Sequence, residues 1–279
     1  MQALVTGGVG FIGTNLIKRL LKDGYEVVSL DNYTTGDRKN QLADCTYITL
    51  DITESFTNWV EEFDVIFHLA ALPRIKPSFE NPKEVCDVNV VGTQNVLEYA
   101  RKTETPVIYA GSSSFWGGVY KNPYTFSKWQ GEELCKMYEQ IYGLSVTICR
   151  FYNVYGDYMP TEGEYRTVLP IFLEQSSKGH PLTITGDGEQ RRDFTHVDDI
   201  IDAMMKVVQL NKWGNVYELG RGKNYSIKQV VDMFPDPAWT YIDMIPGEAR
   251  DTLCRSELAR KKLKWKPKVN LEDWIKEQL

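Results

Sequence analysis

The chain has 279 residues, 42% of them hydrophobic and 25% charged, enough for one large α/β domain, or one and a half, around a sizeable core. A net charge of −6 leaves no basic footprint for nucleic acid or a membrane surface, and no apolar run is long enough to span a bilayer. Five cysteines without a Cys-x-x-Cys pair and three dispersed histidines argue against disulfides and metal, and for reduced thiols in the cytoplasm.

Taken in order, Ala3-Leu4-Val5 reads as a short buried strand and Thr14 to Leu21 as an amphipathic helix. Between them lies Thr6-Gly7-Gly8-Val9-Gly10-Phe11-Ile12-Gly13. A strand, a glycine turn and a helix in this order form a phosphate cradle, because the helix N-terminus presents free N–H groups to an anion. Gly8 and Gly10 let the backbone turn and approach a pyrophosphate, and Gly13 lets helix and strand pack closely. The second strand, Glu26 to Asp31, ends in an acid at the distance expected of a ribose-binding carboxylate. The charge of Asp31 would repel a 2′-phosphate, which favours NAD over NADP. Because the first residues are already a strand, no signal peptide is expected.

Tyr47 to Ile52 reads as a third strand carrying Asp51, and Asp64 to Ala71 as a fourth, ending in small residues that leave room above the sheet. Pro73-Arg74-Ile75-Lys76-Pro77 adds positive charge after that strand. Arg74 and Lys76 there are read first as a solvated loop, with contact to an acidic sugar as the alternative. Asn81-Pro82 opens a long helical pattern through Val85, Val88, Asn89, Gly92, Val96, Leu97 and Ala100. Val107 to Ala110 is a fifth strand running into Gly111-Ser112, and Asn122-Pro123 opens a helix to about Tyr142. Ser145 to Arg150 is a sixth strand. Strands and helices alternating at this rhythm predict a doubly wound parallel sheet of Rossmann type, with ligands at the carboxyl ends of its strands.

The last third is less regular. Helices are expected at Val168 to Ser177, Asp198 to Leu210 and Ser226 to Met233, the last broken by Pro235-Asp236-Pro237. Two further helical pieces, Ser256 to Leu263 and Leu271 to Gln278, flank Pro267. Strands are expected at Leu182 to Thr185 and Asn215 to Leu219, with a turn at Gly186-Asp187-Gly188. The shift in composition divides the chain into a dinucleotide-binding domain, residues 1–160 with 186–215 returning to it, and a smaller C-terminal α/β lobe for substrate, residues 161–279.

Tyr124 and Lys128 are four apart and share a helix face. A phenol is a poor base at neutral pH, since its pKa is about 10. A cation one turn away is expected to stabilise the phenolate and lower that value. With Ser112 hydrogen-bonding the reacting oxygen, the three groups suit removal of an alcohol proton as a hydride leaves the same carbon for NAD⁺. The competing reading is a packed tyrosine and an ordinary solvated lysine.

These motifs, with Asp31-Asn32, Asp51-Ile52, His68-Leu69-Ala70-Ala71, Asn89, Arg150 to Gly156 and Gly186 to Phe194, resemble the extended short-chain dehydrogenase/reductase superfamily. Within it they resemble the NAD-dependent nucleotide-sugar epimerase/dehydratase family, over nearly the whole chain. The resemblance implies a cofactor site at Gly7, Gly10, Phe11, Ile12, Gly13, Asp31, Asn32, Asp51, Ile52, Leu69, Ala70, Ala71, Tyr124 and Lys128. It implies Ser112, Tyr124 and Lys128 as catalytic residues. Ser112, Asn153, Arg192 and Arg250 are then substrate contacts, the two arginines gripping a diphosphate unless they are lobe-bridging salt links. It also implies a homodimer formed through the helix after Asn81 and the helix carrying Tyr124.

Family dehydratases place an Asp-Glu pair directly after the catalytic Ser or Thr, and related decarboxylases a glutamate. This chain has Ser113 and Ser114, which leaves C4 epimerisation of a nucleotide sugar, a UDP-hexose first, through a 4-keto intermediate. An NAD(P)-dependent nucleotide-sugar reductase and a non-catalytic NAD-binding regulator are the alternatives. The segment from Ser112 to Tyr124 is shorter than in the family pattern, and Trp116 stands where a tyrosine is usual.

Overall fold

The computed structural model describes residues 1–56, 59, 61–235, 237–244 and 247–279. In chain order the first half runs β1 (Gln2–Thr6), α1 (Phe11–Lys22), β2 (Glu26–Asp31), β3 (Cys45–Thr49), β4 (Val65–His68), α2 (Ile75–Glu80), α3 (Pro82–Cys86), α4 (Thr93–Thr103), β5 (Val107–Ser112), α5 (Pro123–Tyr142) and β6 (Val146–Phe151). The second half runs β7 (Val154–Tyr155), α6 (Val168–Ser177), β8 (Leu182–Thr185), β9 (Arg191–Asp193), β10 (Thr195–His196), α7 (Val197–Gln209), β11 (Val216–Leu219), β12 (Asn224–Ser226), α8 (Ile227–Val231), β13 (Trp239–Ile242), α9 (Leu258–Lys262) and α10 (Leu271–Gln278).

Seven parallel strands form the main sheet in the order β3-β2-β1-β4-β5-β6-β11. This is the Rossmann arrangement. Its strands read as near-continuous apolar runs because helices cover both faces, and Ala3, Leu4 and Val5 are all fully buried. One face packs Leu16, Ile17 and Leu20 of α1 against Ile200, Met204 and Val207 of α7, with Ala259 of α9 and Trp265 beside them. The other face packs Val96, Leu97 and Ala100 of α4 against Cys135 and Tyr138 of α5. A separate cluster gathers Leu169 and Phe172 of α6, Ile184 of β8, Val230 of α8 and Trp274 of α10. The chain thus crosses into the second cluster after β7, returns through α7 and β11, leaves again, and comes back to the sheet with α9 and Trp265 before α10 ends in the second cluster. Strand order reverses between β1 and β4, and the crevice that opens at such a point is where ligands of open α/β sheets bind.

Several elements differ from the sequence reading. The third strand is Cys45–Thr49, two residues earlier than expected, because it pairs in register with Val27 to Asp31 and leaves Asp51 beyond the strand end. The fourth stops at His68, so Leu69 to Ala71 form the loop that crosses the crevice. The helix after Asn81 is interrupted by a π-helical turn at Asp87–Gly92. Pro73 to Pro77 is not a solvated loop: α2 begins at Ile75, and Pro77 and Ser78 are buried. Asp236, in the expected helix break, lies outside the described residues.

Candidate active site

A cavity of about 830 Å³ lies at the carboxyl ends of the sheet, between it and the second cluster. Its first wall is the glycine turn. Gly7 has φ +74°, and a Cβ there would sit 2.8 Å from Cα of Ala70. A Cβ on Gly13 would sit 2.1 Å from the Gly7 carbonyl oxygen. Side chains at either position would push the turn off the β4 loop or off α1. Gly10 N-caps α1 without a side-chain hydrogen bond and lines the cavity with Phe11, Ile12 and Gly13. The helix therefore meets the cavity with backbone N–H groups and its positive dipole end.

Asp31 closes the next wall. Its Oδ2 accepts from the Val9 N–H at 3.1 Å and its Oδ1 from the Tyr33 N–H at 2.8 Å. Burial raises its carboxyl above the ordinary range, and the two backbone donors oppose that. Asn32 donates to Asp51 Oδ2 at 2.9 Å. Burial works against the Asp51 carboxylate too, but the Thr53 N–H and hydroxyl and the Asn32 amide bring it below its usual value. Asp31, Asn32, Asp51, Ile52, Leu69, Ala70 and Ala71 all line the cavity. A bare glycine turn with two carboxylates beyond it fits NAD and opposes a 2′-phosphate.

Asn122 caps α5 by accepting from the Thr125 N–H at 2.8 Å, with Pro123 in the first turn. This start aims Tyr124 at the end of β5. Its hydroxyl donates to Ser112 Oγ at 3.4 Å, and Ser112 Oγ lies 2.9 Å from Ser114 Oγ. Asn89, on the π turn, fixes this geometry from behind. Its side chain holds the Leu72 backbone at 2.8 and 3.1 Å and donates to Ser127 Oγ at 3.0 Å, and Ser127 donates to the Tyr124 carbonyl at 2.9 Å. π turns are frequent where a helix carries a functional group. His68 is buried between the hydroxyls of Thr6 and Thr93, at 2.7 and 3.0 Å. Burial, with help from the Lys128 charge, lowers it to about 3, so it is a neutral pin.

Lys128, one helical turn after Tyr124, is buried and lines the same cavity. Its Nζ lies 4.3 Å from the centroid of the Tyr109 ring, and burial lowers its pKa to about 8 while Glu132 and Cys135 oppose. Burial raises the Tyr124 phenol, and what pulls it down is the Ser112 hydrogen bond and the charge of Arg74. Arg74 is the residue the sequence reading placed in solvent. It has φ +93° ahead of α2, a backbone state that costs a side-chain-bearing residue about 1–3 kcal/mol. Its Nε and Nη2 both donate to the Tyr165 carbonyl, at 3.0 and 2.9 Å. Lys76 stays exposed at the same cavity.

Asn153 and Arg192 line the cavity, and Arg250 does not. Asn153 donates to the Asp193 carbonyl and to Thr252 Oγ1, both at 3.0 Å. Arg192 donates to the Ala249 carbonyl at 2.7 Å and to Glu248 at 3.0 Å. Arg250 is 56% exposed and binds both oxygens of Asp187, at 2.8 and 2.7 Å, so the salt-link reading describes its state here. Arg250 belongs to the sequence run Pro246-Gly247-Glu248-Ala249-Arg250-Asp251, of which Pro246 lies outside the described residues. Sequence reasoning missed Tyr165, whose neighbours carry no motif, and Glu248, which stands two residues before Arg250 but whose contact with Arg192 spans 56 residues. Among the described residues no group of three or more His, Cys, Asp or Glu is placed to hold a metal, and no helix is long and apolar enough to cross a membrane.

Residues 3–220 match the family described as NAD dependent epimerase/dehydratase. A putative UDP-glucose 4-epimerase of Methanocaldococcus jannaschii is 34% identical, covering 98% of this chain and 95% of the relative. A UDP-N-acetyl-α-D-glucosaminuronate decarboxylase of Bacillus cytotoxicus is 32% identical over 82% of this chain and 78% of its own. Among solved structures, UDP-glucuronic acid 4-epimerase of Bacillus cereus, in complex with UDP-glucuronic acid and NAD, superposes with a TM-score of 0.92. It is 27% identical and covers 100% of this chain and 98% of that one.

Proposed function

Since the chain belongs to the NAD-dependent epimerase/dehydratase family, we propose that it inverts C4 of a UDP-hexose through a transient 4-keto sugar. The observation that carries this reading is the company Ser112 keeps. Its hydroxyl meets Ser114 and Tyr124, and among the described residues no carboxylate hydrogen-bonds to any of the three. Elimination of water, and protonation of C5 after loss of CO2, both need a proton carrier that two serines do not provide near pH 7.

In this mechanism Tyr124 takes the proton of the 4-hydroxyl while Ser112 holds that oxygen, and Tyr124 returns the proton after the ring has turned. NAD, which the Gly7–Gly13 turn and Asp31 would hold, would supply a reversible hydride acceptor for C4. Asn153 and Arg192 hold the sugar nucleotide at the far wall. Lys128 holds a positive charge beneath the site below about pH 8, where burial brings its loss within reach of alkaline assays.

Incubation with UDP-glucose, UDP-N-acetylglucosamine and UDP-glucuronate, without added reductant, tests the reading by NMR of the products. One of the three is expected to give its 4-epimer. Loss of the carboxyl carbon, or turnover only with added NAD(P)H, would replace it with decarboxylation or reduction.

The reading includes a homodimer. The face built by residues 82–103 and α5 leaves Val91 44% exposed, and the ring cluster of Tyr120, Phe126 and Trp129 ends in Tyr120 at 82%. Leu134, Met137 and Tyr138 pack on the core instead. Light scattering is expected to give twice the 32.1 kDa chain mass, and a monomer that still turns over would remove the dimer from the reading.

A further inference from the structure

Arg74 is a cation the mechanism above does not use. It lines the same cavity as Tyr124, with which it interacts electrostatically, and its side chain is fixed at both ends. The backbone is held at φ +93° ahead of α2, and the guanidinium is held by the Tyr165 carbonyl. Two of its nitrogens face that one oxygen. Among the described residues no carboxylate accepts from Arg74, whereas Arg192 on the same cavity already holds Glu248 at 3.0 Å. A partly buried cation without a hydrogen-bonded anion gains from a ligand that brings one. A planar fork with free N–H groups suits a carboxylate.

Position decides which anion. The substrate's 4-hydroxyl must sit at Tyr124 and Ser112. The diphosphate hangs from C1, across the ring, and belongs with Arg192. Of the two ring carbons bonded to C4, C3 carries a neutral hydroxyl, so the anion that can lie next to the reacting centre is the C5 substituent, which in a uronate is a carboxylate. Burial lowers the Arg74 pKa, while the Tyr124 and Glu248 charges oppose this, as expected for a guanidinium that feels the reacting phenol. Lys76, exposed at the same cavity, adds charge of the same sign.

We infer that Arg74 is a specificity-determining residue that pairs with the C6 carboxylate of the substrate, so that the enzyme takes a nucleotide uronate in preference to a neutral nucleotide hexose. This rests on the nucleotide-sugar reading of the cavity.

The test is calorimetric titration of the NAD-loaded protein with UDP-glucuronate and with UDP-glucose, alongside kcat/KM for each sugar. The variants are Arg74→Met, which removes the charge, Arg74→Lys, which keeps it without the fork, and Arg74→Gly, which accepts the backbone conformation and guards against a folding defect. The wild type is expected to bind UDP-glucuronate roughly 10- to 100-fold more tightly than UDP-glucose. Arg74→Met and Arg74→Gly should erase that preference, and Arg74→Lys should keep part of it. Equal wild-type affinity for the two sugars, or variants that weaken both equally, would overturn the inference. UDP-glucose epimerised with no preference for the uronate would do so while leaving the epimerase reading intact. A uronate preference that Arg74→Met abolishes, in a protein that inverts neither sugar, would support the inference and remove the epimerase reading.

Discussion

Tyr124→Phe is expected to lower turnover by about 10²- to 10⁴-fold while the protein keeps its fold and its NAD. The substitution removes one oxygen. In the free protein that oxygen makes a single long hydrogen bond, 3.4 Å to Ser112 Oγ, so little stability goes with it. The ring is retained, and the α5 start is fixed by Asn122 and Ser127, neither of which contacts the hydroxyl. What is lost is the group that carries the 4-hydroxyl proton. NMR of the product after long incubation reads the activity, and the absorbance of NAD released on denaturation reads the cofactor. Loss of both together would mean that Tyr124 supports the site and does not act in it.

The pH profile adds a second handle. Burial raises the Tyr124 phenol in the free protein, with Ser112 and Arg74 opposing. The base form of the wild type therefore grows with rising pH. Lys128, lowered to about 8 by burial, loses its charge over the same range. The residual activity of Tyr124→Phe should lack the rising limb. A rising limb unchanged in the variant would assign the proton to another group.

Much of the cofactor half was legible because it is built from local sequence. The β1-turn-α1 unit, Asp31 at the end of β2 and the Tyr124-Lys128 helix each lie within one continuous stretch, and short-range sterics decide their form. Arg74 was not legible for the opposite reason. Its burial depends on a carbonyl 91 residues away and on a positive φ that sequence does not announce in an arginine. Pro73 and Pro77 made a loop the natural reading, yet Pro77 sits inside α2. Helical spacing gave the face that Lys128 shares with Tyr124 but not the direction of a long side chain, whose ammonium meets the Tyr109 ring in the free protein. Arg250 stood in the expected motif, and only the turn carrying Asp187 shows what its guanidinium meets in the free protein.

The largest stability effect is expected at Arg150. This residue, on β6, is buried with Glu132 of α5 and Glu218 of β11. Its Nε and Nη2 reach Glu132 at 3.0 and 2.6 Å, and its Nη1 reaches Glu218 at 3.3 Å. Glu218 also accepts from Trp116 Nε1 at 2.7 Å and from the Tyr152 hydroxyl at 3.0 Å. The guanidinium lies 3.9 Å from the Phe115 ring centroid. One arginine thus holds two buried carboxylates and the aromatic turn Ser113–Gly117 that follows Ser112. Arg150→Met should destabilise the protein by about 3–5 kcal/mol, because it leaves two buried carboxylates without the cation hydrogen-bonded to both. Glu132→Gln alone should cost less, since Glu218 still partners the guanidinium. Combined with Arg150→Met it should recover part of the loss, because one orphaned charge goes with it, so the two changes are expected to be non-additive. Denaturant midpoints of the two single variants and the double variant measure this, and strictly additive losses would show that the three groups do not act as a unit. The short Ser112–Tyr124 segment makes the consequence functional. Without a longer loop to cover the site, the Phe115 and Trp116 contacts with Arg150 and Glu218 anchor the turn that directly follows Ser112. A folded Arg150→Met population should accordingly retain NAD yet turn over slowly, with the loss in kcat rather than in KM.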